Sequence, residues 1–127
     1  MTKRSVKREN AMIAIYQYLL VNRDIDSLIE DSFKANIKDV DSYFVDVVHD
    51  AIENEDRYHK YIDEVLKDGW SFDRLGTIEK AILLTGCAEF NLKKTEAAVI
   101  IDECVTLAKK YCDSDAYKLI NRVLDII

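Results

Sequence analysis

A chain of 127 residues, 49% hydrophobic and 33% charged, can bury one core without disulfides or metals, which argues against both a disordered tract and a membrane-embedded protein. No apolar run approaches the roughly 18 residues needed to span a bilayer. The net charge of −6 sets the surface as a whole against polyanions, yet Lys3, Arg4, Lys7 and Arg8 place four cations and no acid in the first eight residues, on a remainder of net −10.

The first predicted helix runs from about Lys3 to Val21, with Thr2 as its cap. At helical spacing Lys3 with Lys7, Arg4 with Arg8 and Arg4 with Lys7 are neighbours, giving one continuous basic patch. Cations at a helix N-terminus oppose the helix dipole, so their presence points toward a partner. Tyr16 lies about two turns beyond Arg8, and an aromatic interleaved with arginine suits unpaired nucleobases. The plainer reading of the same residues is a solubilising tail. If all four cations meet phosphates, the salt dependence of single-strand binding has a log–log slope near −3, from about −0.7 per contact. Replacing Arg4 and Arg8 together is then expected to leave thermal stability nearly unchanged.

A short helix near Asp26 to Phe33 follows. Asp41 is placed to cap a helix whose stripe is Phe44, Val47, Val48, Ala51 and Ile52, the i, i+3, i+4, i+7, i+8 pattern of one buried face. Tyr58, Tyr61, Ile62, Val65 and Leu66 repeat that pattern, with Gly69 as the expected stop. Thr77 to Leu92, around Ala81-Ile82-Leu83-Leu84, and Ala97 to Ala108, around Val99-Ile100-Ile101, are apolar on more than one face, and both are expected to be central helices. Ala116, Leu119, Ile120, Val123, Leu124 and Ile127 draw a last stripe, capped by Asp113 or Ser114. With no proline and three glycines, Gly69, Gly76 and Gly86, the chain reads as all-α: a compact bundle of about seven helices, one domain over residues 1–127.

Catalytic machinery is not legible. His49 and His59 fall on separate helices away from any cysteine, and there is no CxxC, HExxH, glycine-rich phosphate loop or GxSxG elbow. Acid pairs such as Asp63-Glu64 and Asp102-Glu103 read as solvated helix faces. Cys87, Cys104 and Cys112, odd in number and set in apolar sequence, read as small core side chains in a reducing compartment. No signal-type apolar segment follows the basic start, so a cytoplasmic binding protein, with no enzyme activity, no cofactor and no metal, is the expectation.

In order along the chain, Arg8-Glu9 with Ala14 to Gln17, Trp70 with Arg74-Leu75 and Glu79 to Leu83, Val99 to Tyr111, and Asn121 to Asp125 form four blocks that together resemble the NusB family. Arg8-Glu9 through Ala14-Ile15-Tyr16-Gln17 is similar to its opening Arg-Glu-x-Ala-x-x-Ala-Leu-Tyr. Trp70, Arg74-Leu75 and Glu79-Lys-Ala-Ile-Leu83 follow its central pattern. Val99 to Tyr111 resembles Val-x-Ile-Asn-Glu-Ala-Val-x-Leu-Ala-Lys-x-Tyr/Phe, and Asn121-Arg-Val-Leu-Asp125 its closing Asn-Gly-Val-Leu-Asp. The chain departs from the family at Glu96 (proline nearby), Cys112 (glycine nearby), Leu119 (phenylalanine) and Arg122 (glycine). The loss at Leu119 matters most, because an aromatic there is a candidate base-stacking side chain.

The resemblance implies a transcription antitermination factor that binds a single-stranded boxA-type RNA together with the ribosomal protein NusE and acts within the RNA polymerase antitermination complex, above all on ribosomal RNA operons. Carried over, the RNA surface includes Arg4, Arg8, Tyr16, Glu79, Asp115 and Lys118, to which charge adds Lys3, Lys7 and Arg122. Acidic side chains fit such a surface because they accept from base amino groups, although Glu79 and Asp115 are equally ordinary first-turn and capping acids. A homodimer of the free protein stays open. The alternatives are a protein-interaction bundle without RNA binding and the NusB-like domain of an RNA methyltransferase, for which 127 residues leave no room for a cofactor-binding module.

Overall fold

The computed structural model describes residues 3–67 and 69–127, and over them the chain folds into seven α-helices with no strand. These are α1 (Arg4–Val21), α2 (Ile25–Phe33), α3 (Ser42–Glu53), α4 (Glu55–Val65), α5 (Thr77–Leu92), α6 (Ala97–Tyr111) and α7 (Ala116–Ile126). Single 3-10 turns at Ile37–Asp39 and Phe72–Arg74 punctuate the longer links. Thr2, the expected cap of α1, lies outside the described residues.

The middle of the bundle is α5, which packs against α1, α3, α4, α6 and α7. Every residue from Ala81 to Glu89 is buried, which is why that window is apolar all round. Gly86 permits the closest approach: a Cβ there would stand 2.9 Å from Leu124 Cδ2 of α7 and 3.3 Å from Cys104 Sγ of α6. The expectation of a second central helix fails for α6. It buries Ile100, Cys104, Leu107 and Ala108 on one stripe and leaves Ala97, Ala98 and Val99 exposed, because it flanks α5 and α7 from outside.

Helix ends explain how a proline-free chain turns. Asn22, Lys34 and Lys93 sit at C-caps in the left-handed region, with φ of 53°, 53° and 57°. Asp41 caps α3 as expected, its side chain accepting from Tyr43 N at 3.0 Å. Two predicted ends are corrected. Helix α4 stops at Val65, where Leu66 turns extended to bury its side chain, and Gly69 with φ +86° serves the following turn. The N-cap of α7 is Asp115 rather than Asp113 or Ser114, without a side-chain capping bond; its carboxylate lies 3.5 Å from Lys118 Nζ instead.

Candidate nucleic-acid interface

The four N-terminal cations do not form one exposed patch. Helical rotation carries Arg8 onto the face of Ala11, Met12 and Ile15, so its side chain, 2% exposed, enters the core. A cation there persists only when fully paired. Arg8 Nε and Nη2 donate to the two oxygens of buried Glu89 at 2.5 and 2.8 Å, and Nη1 donates to Glu103 at 2.9 Å. The Tyr43 hydroxyl donates to Glu89 Oε1 at 2.7 Å and accepts from Thr95 at 2.9 Å, joining α1, α3, α5, α6 and the link before α6 in one network. Burial, reinforced by the adjacent Glu89 carboxylate, pushes the Tyr43 hydroxyl up to about 12 despite the opposing Thr95 bond. For Arg8, burial pulls the other way, but the Glu89 fork outweighs it and holds the guanidinium above its ordinary value. Nearly unchanged stability on loss of Arg8 is therefore corrected: removal would strand a buried carboxylate.

What remains outside is Lys3, Arg4 and Lys7. Lys3 and Arg4 are exposed. The Arg4 guanidinium is 4.8 Å from the centre of the Tyr43 ring and 5.2 Å from that of Phe44, two rings set edge to face at 82°, so the cation sits beside an aromatic pair while the residue stays exposed. Lys7 is half-buried and pairs with Asp41 at 3.1 Å. Burial would raise the Asp41 carboxyl, but Lys7 and the Tyr43 amide hold it below its usual range.

A second cluster lies where α1 meets the C-terminus of α6. Lys110 Nζ donates to both Glu9 oxygens at 3.1 and 2.8 Å, and the Tyr111 hydroxyl donates to the same carboxylate. Burial works against ionisation of Glu9, yet the two donors win and hold it below its ordinary value. Tyr111 and Glu79 line one cavity of about 210 Å³ with Gly76, Ile78, Cys112 and Asp113. Glu79 caps α5 through its own side chain, Oε1 accepting from Gly76 N at 2.8 Å. Tyr16 is half-buried against the core and, seven residues beyond Glu9, shares that side of α1 rather than the side of Arg8.

The remaining predicted residues lie on α7. Asp115 and Lys118 are exposed and close to each other. Arg122 is half-buried and its Nε is buried without a hydrogen-bond partner. Leu119 is half-buried and packs on the core, as an inward aliphatic side chain would. Sequence reasoning missed Glu89, whose signal was an acid inside an apolar helical window, and it read Glu103 as solvated when its carboxylate anchors Arg8. Asp63 likewise has work to do, accepting from Phe72 N at 2.7 Å.

Among the described residues no group of three or more His, Cys, Asp or Glu side chains is set to hold a metal, and no helix is long and apolar enough to cross a membrane. The arrangement offers a local cationic tip and fixed aromatic rings beside acceptors, which is equipment for binding.

The NusB family model matches residues 5–127. A transcription antitermination protein NusB from Sulfurovum sp. (strain NBC37-1) is 35% identical, with 100% of this chain and 98% of that protein covered. One from Treponema denticola is 36% identical over 97% and 96% of the two chains. Among solved structures, a crystal structure of antitermination factors NusB and NusE in complex with dsRNA superposes with a TM-score of 0.83 at 28% identity, over 97% of this chain and 93% of that one.

Proposed function

The chain belongs to the NusB family, and from that premise we propose that it is a transcription antitermination factor binding boxA-type single-stranded RNA together with the ribosomal protein NusE. It would act on RNA polymerase elongation in the cytoplasm, chiefly on ribosomal RNA operons, as a single RNA-binding domain over residues 1–127 and without catalysis.

The observation that carries this reading is exposed Arg4, its guanidinium beside Tyr43 and flanked by Lys3 and Lys7, at one end of an otherwise acidic body. Such polarity repels a polyanion over most of the surface and holds it at one place. Lys3, Arg4 and Lys7 take the phosphates, and Lys118 and Arg122 extend the cationic track on α7. Tyr16, Glu79 and Asp115 face bases, the acids accepting from base amino groups. Arg8 serves the surface from within, by fixing α1 on Glu89. NusE raises the affinity because two surfaces sharing one strand turn two weak encounters into a joint one.

The test is a gel shift with a boxA-type strand, with and without NusE. Retention of the strand, tightened by NusE, is expected. No retention in either arm would leave a protein-interaction bundle, and equal dissociation constants in both arms would remove the joint surface.

A further inference from the structure

Tyr111 has no place in the surface proposed above, yet its setting is that of a ligand platform. It is the last residue of α6 and stays 38% exposed. Its hydroxyl is tied to Glu9 of α1, and Lys110, bound to the same carboxylate, places its Nζ 5.4 Å from the centre of the ring. An exposed tyrosine normally pays rotamer entropy when a ligand lands on it; one already pinned at its tip pays less. Tyr111 also lines the cavity of about 210 Å³ at the start of α5, where Glu79 and Asp113 are neighbouring acceptors. Glu79 spends Oε1 on Gly76, and a carboxylate accepts at both oxygens. Tyr16, two turns along α1 from Glu9, continues the same side.

We propose that the Tyr111 ring is a stacking platform for one unpaired nucleobase of the bound strand. This deepens the RNA-binding reading and rests on it. Every base has a π-face, so a platform of this kind adds affinity without adding a phosphate contact. The hydroxyl bond to Glu9 holds the ring, Lys110 braces that carboxylate, and the cavity receives the base edge.

The experiment measures binding of the full chain, with NusE, to a boxA-type RNA for the wild type, Tyr111→Ala and Tyr111→Phe across a salt series. Tyr111→Ala should weaken binding roughly 5- to 150-fold, the range for loss of one base–aromatic stack. Its log–log salt slope should match that of the wild type, because no counterion release is lost. Tyr111→Phe keeps the stacking ring but loses its tie to Glu9, so it should bind more weakly than the wild type and clearly more tightly than Tyr111→Ala. Abasic substitution along the strand should find one nucleotide whose removal abolishes the difference between wild type and Tyr111→Ala. Four outcomes would overturn the platform: an indifferent alanine variant, a phenylalanine variant as weak as alanine, a flattened slope in the alanine variant, or no single abasic position that removes the difference. Wild-type protein that retains no RNA removes the parent reading and the platform with it, whereas a binding wild type with an indifferent alanine variant removes the platform alone.

Discussion

Arg4 and Arg8 differ by one helical turn and by their whole physical role. Arg8 is a buried counter-ion, forked onto Glu89 and bonded to Glu103. Deleting one partner of a buried ion pair costs about 3–5 kcal/mol, because the other charge is left without compensation. Arg8→Ala should therefore lower the denaturation midpoint sharply, whereas Arg4→Ala, at an exposed position, should move stability by no more than about 0.5 kcal/mol. The order reverses for RNA: Arg4→Ala should weaken binding and flatten the salt slope by about 0.7. Equal stability losses in urea titrations of the two variants would show that Arg8 is not a core ion.

Two carboxylates fasten α1 to its neighbours, Asp41 through Lys7 and Glu9 through Lys110 and Tyr111. Both are held below their ordinary values of 3.8 and 4.5. A carboxyl depressed on folding contributes its full stability above the unfolded value and loses it as pH falls through the folded one. Thermal stability should thus decline on acidification below the ordinary carboxylate range, and an Asp41→Asn/Glu9→Gln variant should show a flatter decline. A variant that tracks the wild type through acid would mean these ties contribute nothing. Between elements, the tightest seam is Gly86, with α7 and α6 closing on it from two sides. Alanine gains about 1 kcal/mol in helix propensity. Overpacking costs about 1–3 kcal/mol. Since Leu124 and Cys104 belong to different helices, neither can yield without disturbing its own packing, and a net loss near 1 kcal/mol is expected for Gly86→Ala by chemical denaturation. A more stable variant would show that α7 slides freely on α5.

At the scale of the molecule, charge asymmetry is the organising property: exposed Lys3 and Arg4, with half-buried Lys7 beside them on Asp41, at the start of α1 on a body of strong negative charge. With Arg8 withdrawn into the core, the tip offers Lys3 and Arg4 and, once Lys7 exchanges Asp41 for a phosphate, a third contact, so the salt slope from the tip alone should be about −2 rather than near −3. A steeper value would require Lys118 and Arg122 of α7 to share the strand, and their neutralisation should then restore about −2. A slope indistinguishable from zero would place the RNA away from the basic tip altogether.

Period and composition were enough to determine the helices. Stripes at 3.6-residue spacing, the absence of proline and two windows apolar on more than one face gave seven segments and two candidates for the middle, of which only α5 is central, because each stripe must be buried against something. The ordered blocks from Arg8-Glu9 to Asn121-Arg122 also carried the family, since they preserve residues across the whole chain. Tertiary structure alone decided which cation goes inward. Arg4 and Arg8 look alike at helical spacing, and the difference arises because Glu89, 81 positions away, waits in the core to neutralise one of them. It also decided that α6 is peripheral, that Glu103 is an anchor, and that Tyr111 meets Glu9 across 102 positions. Periodicity reports which face of a helix is apolar; it cannot report which distant helix supplies the counter-charge.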